Sequence, residues 1–257
     1  MKLKTILAIS IIALMGSQYA TSQVIKMKPF EPKQGILLSI QYGAHSPGGD
    51  LVNRFGWNST IGLDAKFKTE KGWLFGGSYR WMFGNNVKES NMFDSILGSS
   101  REIIDKNGLF SVIRLSQRGH MFMLEGGKII PLSKQNRNSG ILIQAGFGYV
   151  MHRIDVFAST TTVPQVTGDY EKGYDRLNGG MGFNQYIGYQ YLDPKKRVNF
   201  NIGFSSMQAY TKSLRSVDYL TKSYNTLKRK DYLSGVIIGV TIPIYTKKRE
   251  SELFFED

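Results

Sequence analysis

The sequence predicts an all-β fold, an eight-stranded antiparallel transmembrane β-barrel with short periplasmic turns and long extracellular loops, and three observations carry that prediction. Apolar and polar residues alternate with a period of two in eight segments. Polar, turn-like connections alternate with connections that are, but for the first, longer. An apolar stretch behind two lysines opens the chain, and no later run reaches the ~18 unbroken apolar residues that a helical span needs.

Lys2 and Lys4 make a positive n-region, residues 6–15 an apolar core, and Ala20 and Ser22 the small residues of a cleavage site. Residues 1–22 therefore read as a secretory signal peptide, 23–34 as a periplasmic N-terminal segment, 35–246 as the barrel and 247–257 as a charged periplasmic tail. The first strand is expected over 36–44. The second, from Arg54, sets Phe55, Trp57, Ile61, Leu63, Ala65 and Phe67 on one face and Arg54, Asn58, Thr60, Asp64 and Lys66 on the other. The third sets Trp73, Phe75, Tyr79, Trp81 and Phe83 against Gly76, Ser78 and Arg80. Five more are expected over 120–131, 141–151, 179–191, 198–207 and 232–245.

The connections at 68–71, 132–140 and 192–197 are polar and turn-like, whereas 84–119, 152–178 and 208–231 are long and 45–53 matches 132–140 in length. An even-stranded barrel with both termini on one side of a membrane has this layout. Trp57, Trp73, Phe83, Tyr189, Tyr191 and Tyr245 lie near strand ends and suit interface girdles. A soluble barrel would turn its largest apolar residues inward, but here the polar faces carry the glycines (Gly62, Gly76, Gly146, Gly148) and the apolar faces carry tryptophan and phenylalanine.

Composition excludes further classes. The chain has 257 residues, a formal charge of +13 and no cysteine. A disulfide scaffold, a thiol nucleophile, an iron–sulfur site and a lipid-anchored cysteine are thereby ruled out. No His, Asp and Glu cluster has metal-ligand spacing, so no metal and no cofactor is expected. Three segments fit the scheme loosely. Residues 109–115 are either an extension of the fourth strand or a piece of loop structure, residues 92–105 suit a short helix, and Gln185 on an apolar face marks either a protein contact or a register slip.

With the signal, the eight strands and the stretch RGHMFMLEGGKIIPL (118–132) in view, the chain resembles the outer-membrane β-barrel domain family. In size and style it is similar to the small barrels that accompany type IX secretion and gliding motility. The resemblance rests on layout and covers nearly all of the mature chain. It departs from the commonest barrels at the C-terminus, where a charged tail follows the last strand in place of a terminal aromatic.

Candidate sites follow from this layout. Arg54, Asp64, Arg80 and Glu125 are expected to meet in the lumen, with Arg80 and Glu125 as an ion pair, because an unpaired buried charge is costly. His45, His120 and His152 fall near the outer rim. His45 with Ser46, and His152 with Asp155, supply ingredients of a lipid A hydrolase or acyltransferase, though no motif of those enzymes is present. At the periplasmic end, Lys66, Lys68, Lys71, Lys134, Arg137, Lys195, Lys196, Arg197, Lys247, Lys248 and Arg249 form a basic face. It suits either phospholipid headgroups or an acidic periplasmic partner. On the outer side, Lys212, Arg215, Lys222, Lys228, Arg229 and Lys230 suit lipopolysaccharide phosphates or a surface protein. Nucleic acid is not an expected partner for an exported barrel. The sequence thus points to a non-enzymatic outer-membrane barrel acting as scaffold or accessory subunit of a secretion or motility complex, with a surface adhesin or a lipid A enzyme as alternatives.

Overall fold

In a computed structural model, which describes residues 30–89, 92–93, 103–159, 163–195, 197–216 and 227–246, the alternating segments form strands. In chain order these are β1 (Gly35–Gly49), β2 (Asn58–Lys68), β3 (Trp73–Gly84), β4 (Ile103–Ile104), β5 (Phe110–Ser111), β6 (Ile113–Pro131), β7 (Gly140–Ala158), β8 (Asn178–Leu192), β9 (Asn199–Ser213) and β10 (Lys228–Tyr245). Eight of them close into an antiparallel barrel in the order β1-β10-β9-β8-β7-β6-β3-β2, while β4 and β5 pair with each other in the connection between β3 and β6. The signal segment 1–22, the tail 247–257 and most of the stretch expected to hold a helix lie outside the described residues; Ile103–Ile104, at its end, is strand.

The tight end of the barrel shows how local chemistry makes the turns. Between β2 and β3 the Thr69 amide donates to the Trp73 carbonyl at 2.8 Å and the Gly72 amide to the Thr69 carbonyl at 3.0 Å. Gly72 has φ +83°, a left-handed conformation that glycine adopts without a Cβ clash.

Following the ladder once around from Gly35 through Lys68, Leu74, Gly127, Gln144, Tyr186, Ser205 and Gly235 returns to β1 at His45. A stagger of that size in an eight-stranded ring tilts the strands by roughly 40° and leaves a bore that side chains fill.

β1, β7, β9 and β10 run past their expected loop-side ends, to Gly49, Ala158 and Ser213 and from Lys228, and two further boundaries change the place of particular residues. The second strand begins at Asn58, not Arg54, because residues Asp50–Asn53 form a 3-10 turn whose Leu51 carbonyl accepts from the amides of Arg54 (3.1 Å) and Phe55 (3.0 Å). Phe55, expected on the outer face, is consequently turned inward and is 0% exposed. The fourth large strand starts at Ile113, so Leu115 belongs to it, because β6 and β7 go on pairing with each other beyond Gln117 and His152, where β3 and β8 leave them.

Outside, the apolar faces form a continuous band. It includes Ile36, Leu38 and Ile40 on β1, Leu63 and Phe67 on β2, Phe75 on β3, Phe122 and Leu124 on β6, Phe147 on β7, Ile187 on β8, Phe204 on β9 and Val240 and Ile242 on β10, all exposed. Left in water, each such side chain forgoes about 1.5–3 kcal/mol of burial. Inside, side chains stack in three layers. At the loop end an apolar cluster joins strand residues Met82, Met121, Val150, Ile154, Met207 and Leu233 to loop residues Leu51, Phe55, Met92, Phe93, Val163, Val166 and Tyr174. A charged layer follows. At the turn end Leu37, Leu74, Ile129, Leu142 and Leu192 belong to a second apolar cluster.

Candidate functional site

The charged layer is built by β2, β3 and β6. Residues two apart on a strand share a face, so Asp64, Lys66 and Lys68 all turn inward on β2, as do Ser78 and Arg80 on β3. Glu125 stands on the ladder between Gly76 and Gly146. A Cβ at Gly146 would come 2.7 Å from the Glu125 side chain, and one at Gly62 would come 2.9 Å from Arg80. The missing methyl groups are the room into which the long ionic chains fold.

Glu125 is the hub. Its Oε1 accepts from Arg80 Nη1 and Nη2 at 3.2 Å each, from Ser78 Oγ at 3.0 Å and from Asn184 Nδ2 at 3.3 Å. Its Oε2 lies 2.6 Å from Lys66 Nζ, which also reaches Asp64 Oδ2 at 2.8 Å and Gln144 Oε1 at 3.3 Å. Arg80 and Glu125 are thus paired 3.2 Å apart in the lumen. Two cations face two anions, so the layer is formally neutral, and each charged group keeps hydrogen-bonding partners after losing water. Lys66, assigned by charge to the turn-end rim, belongs to this layer, and the parity it shares with Asp64 was the signal that placed it.

Arg54 does not join them. It sits in the loop-end cap, 3.1 Å from Glu89, which also pairs with Arg176. Burial, with the Arg229 charge second, pushes the Arg54 guanidinium down to about 10. The same cap is tied by Arg215 to Asp175, by the Ile154 amide to the Asp175 carbonyl at 2.8 Å, by Arg153 to Glu171 at 3.4 Å and by Arg229 Nη2 to the Asp50 carbonyl at 2.8 Å.

The histidines are kept apart. His45 points inward to Thr60 Oγ1 at 2.9 Å, and the strand period turns its neighbour Ser46 outward. His152 Nε2 meets Asp231 Oδ2 at 2.9 Å from across the barrel, and Thr211 donates to that same oxygen at 2.5 Å; Asp155 pairs instead with Arg153. His120 is on the outer face, 2.8 Å from the Tyr79 hydroxyl. Neither expected hydrolase pairing is assembled, and none of these contacts sets a nucleophile against an imidazole oriented by a carboxylate.

At the turn end Lys71, Lys134, Arg137, Lys195 and Arg197 are exposed, whereas Lys196, Lys247, Lys248 and Arg249 lie outside the described residues. Lys68 differs from the expected docking role. It is 0% exposed, and its ammonium donates to Asn138 Oδ1 at 2.7 Å and to the Lys33 carbonyl at 2.8 Å. Asn138 in turn holds the Glu31 carbonyl (2.8 Å) and the Lys33 amide (3.0 Å), so residues 30–34 lie against the second turn. Lys68 seals this end from within, and the exposed cations are its neighbours Lys71, Lys134, Arg137, Lys195 and Arg197.

No family model matches the chain, and no curated protein aligns with it. Solved structures similar to it include Ail, the attachment invasion locus protein of Yersinia pestis, at 10% identity over 81% of this chain and 98% of that one, with a TM-score of 0.40. Neisserial surface protein A is 10% identical over 82% of this chain and 97% of its own, with a TM-score of 0.40. The outer membrane protein OprG from Pseudomonas aeruginosa is 12% identical over 83% and 99%, with a TM-score of 0.39.

Proposed function

We propose that the chain is an integral outer-membrane β-barrel without enzymatic activity, and that it works as a docking scaffold. The outer band carries the membrane reading: large apolar side chains are exposed on the outside of all eight strands, while a fully paired charged layer lies inside between two apolar clusters. The lysine-led signal segment supports export. In this orientation the tight turns face the periplasm and the long connections face outward. Three layers of packed side chains support a structural lumen over a diffusion pore.

The finer reading, an accessory subunit of a type IX-like secretion or motility assembly, is supported by the exposed cations Lys71, Lys134, Arg137, Lys195 and Arg197 around the turn end. Such a rim attracts an acidic periplasmic partner and orients its approach. A surface adhesin is the second reading, favoured by the loop cap, whose apolar core and ion pairs hold a shaped outer surface.

Affinity purification of the full chain from native outer membrane in mild detergent tests both. Recovery in a stoichiometric large complex that dissociates when Lys134, Arg137, Lys195 and Arg197 are replaced by glutamine supports the accessory role. A lone monomer that still binds surface ligands through its loops supports the adhesin. A chain that stays in aqueous solution without detergent refutes the membrane reading.

A further inference from the structure

Toward the loop end the outer faces of β9 and β10 change from apolar to cationic. Lys212 and Lys228 stand directly opposite each other on neighbouring strands, and Lys230 follows two residues on, opposite Tyr210. All three lysines are exposed, and alternation sets them on the same outward face as Tyr210 and Tyr232. The strand beneath them is fixed, since the Lys230 amide donates to Asp50 Oδ2 at 2.7 Å. Like charges directly across a ladder destabilise the pairing unless an anion lies between them. At the same rim Arg54, Arg153, Arg176 and Arg215 are each matched by carboxylates. Among the described residues these three ammonium groups have no such partner.

A second feature lies just below on the same face. Gln185, Ser206 and Ser234 occupy one ladder row across β8, β9 and β10, with Ser206 Oγ 3.1 Å from Ser234 Oγ. Gln208, opposite Tyr232, is also exposed. Gln185 is outward-facing, so its place on the apolar face is no register slip. Below the row the face is apolar again, with Phe204, Ile202, Val236 and Ile238. From the loop end downward the order is cations, tyrosines, hydroxyl and amide groups, then hydrocarbon.

We infer that this strip binds a phosphorylated glycolipid of the lipid A class from the outer leaflet. Lys212, Lys228 and Lys230 take its phosphates, Ser206, Ser234, Gln208 and Gln185 meet its amide and hydroxyl groups, and the apolar residues below lie along its acyl chains. Phosphate oxygens make charge-assisted bonds to ammonium groups, and the order of chemistry down the strip matches that of the lipid from headgroup to tail. The inference rests on the outer-membrane reading and adds a ligand class and a site to it.

Native mass spectrometry of the full, folded chain in detergent tests it, with bisphosphorylated lipid A and its dephosphorylated form as probes. The wild type should bind the phosphorylated lipid about tenfold or more tightly than the dephosphorylated one, and Lys212→Gln/Lys228→Gln/Lys230→Gln should erase that preference. Lys134→Gln/Lys195→Gln at the opposite rim should leave it unchanged. The gel shift of the unheated barrel verifies folding, and Lys228→Gln alone serves if the triple variant does not fold. Equal binding of the two lipids, equal lysine-dependent binding of phosphatidylglycerol, full competition by inorganic phosphate, or loss of a protein partner with lipid A binding intact would each overturn the inference. Failure to insert into vesicles would overturn the membrane reading as well, whereas insertion without lipid A preference overturns the glycolipid site alone.

Discussion

The loop end of the lumen is closed by apolar side chains from three connections, the turn end by a buried lysine, an asparagine and a few residues of N-terminal backbone. The loop-end connections carry apolar side chains that fold inward, so that end is filled by burial. The turn-end connections are polar, and there directional hydrogen bonds do the closing. The composition of the connections, more than their length, thus decides which chemistry seals each mouth.

The largest effect is expected in the layer that separates the two ends. Glu125→Ala leaves Lys66 and Arg80 buried without their shared anion, which should cost about 3–5 kcal/mol. It should appear as a lowered urea midpoint for unfolding from lipid vesicles, with an unchanged slope. Replacing Lys66, Arg80 and Glu125 together by apolar residues of similar size should cost less than that single change, and a larger loss would show that the charges hold more than each other.

Phe55→Ala should be next. Phe55 packs edge-on against His152 at 5.7 Å between ring centroids, and its removal from the cap should cost about 3 kcal/mol by the same titration. The loss should loosen the loop end alone, raising protease cleavage in the connections while residues 30–34 stay protected. Lys68→Ala should do the converse at about 1–3 kcal/mol, since it strands the Asn138 and Lys33 acceptors. Limited proteolysis should then release the N-terminal segment with the loops intact, and simultaneous loosening of both ends would refute independent seals. Smallest is Lys128→Ala, which removes a cation 4.9 Å from the Trp73 ring at the turn end and should shift stability by about 0.5–1 kcal/mol.

Much of this was legible in the residues, and the misreadings have one origin. Alternation located all eight large strands and the outward set, and it placed Arg80 and Glu125 on the inner face. Lys66 and Lys68 were read by charge and nearness to a turn, although their even spacing from Asp64 already put them inside. Alternation extends through Arg54 and Phe55 and so reads as strand, but the 3-10 turn at Asp50–Asn53 bends the chain before Asn58 and buries both in the loop-end cap. The apolar cap was not legible, because the loop residues that build it have no period, and His152 was matched with nearby Asp155 when its partner is Asp231 on a distant strand.

By itself the sequence determined the number of barrel strands, the face taken by residues within them and the chemistry of inside and outside, because the two-residue period is a local property of extended backbone. Only closure of the ring decided which inward residues touch. The stagger that carries the ladder from Gly35 to His45 in one circuit sets each strand's height against its neighbours, and it brings Glu125 to Lys66 and Arg80 and His152 to Asp231. That offset is the sum of all eight pairings and belongs to no single segment, so it exists only once the sheet has met itself.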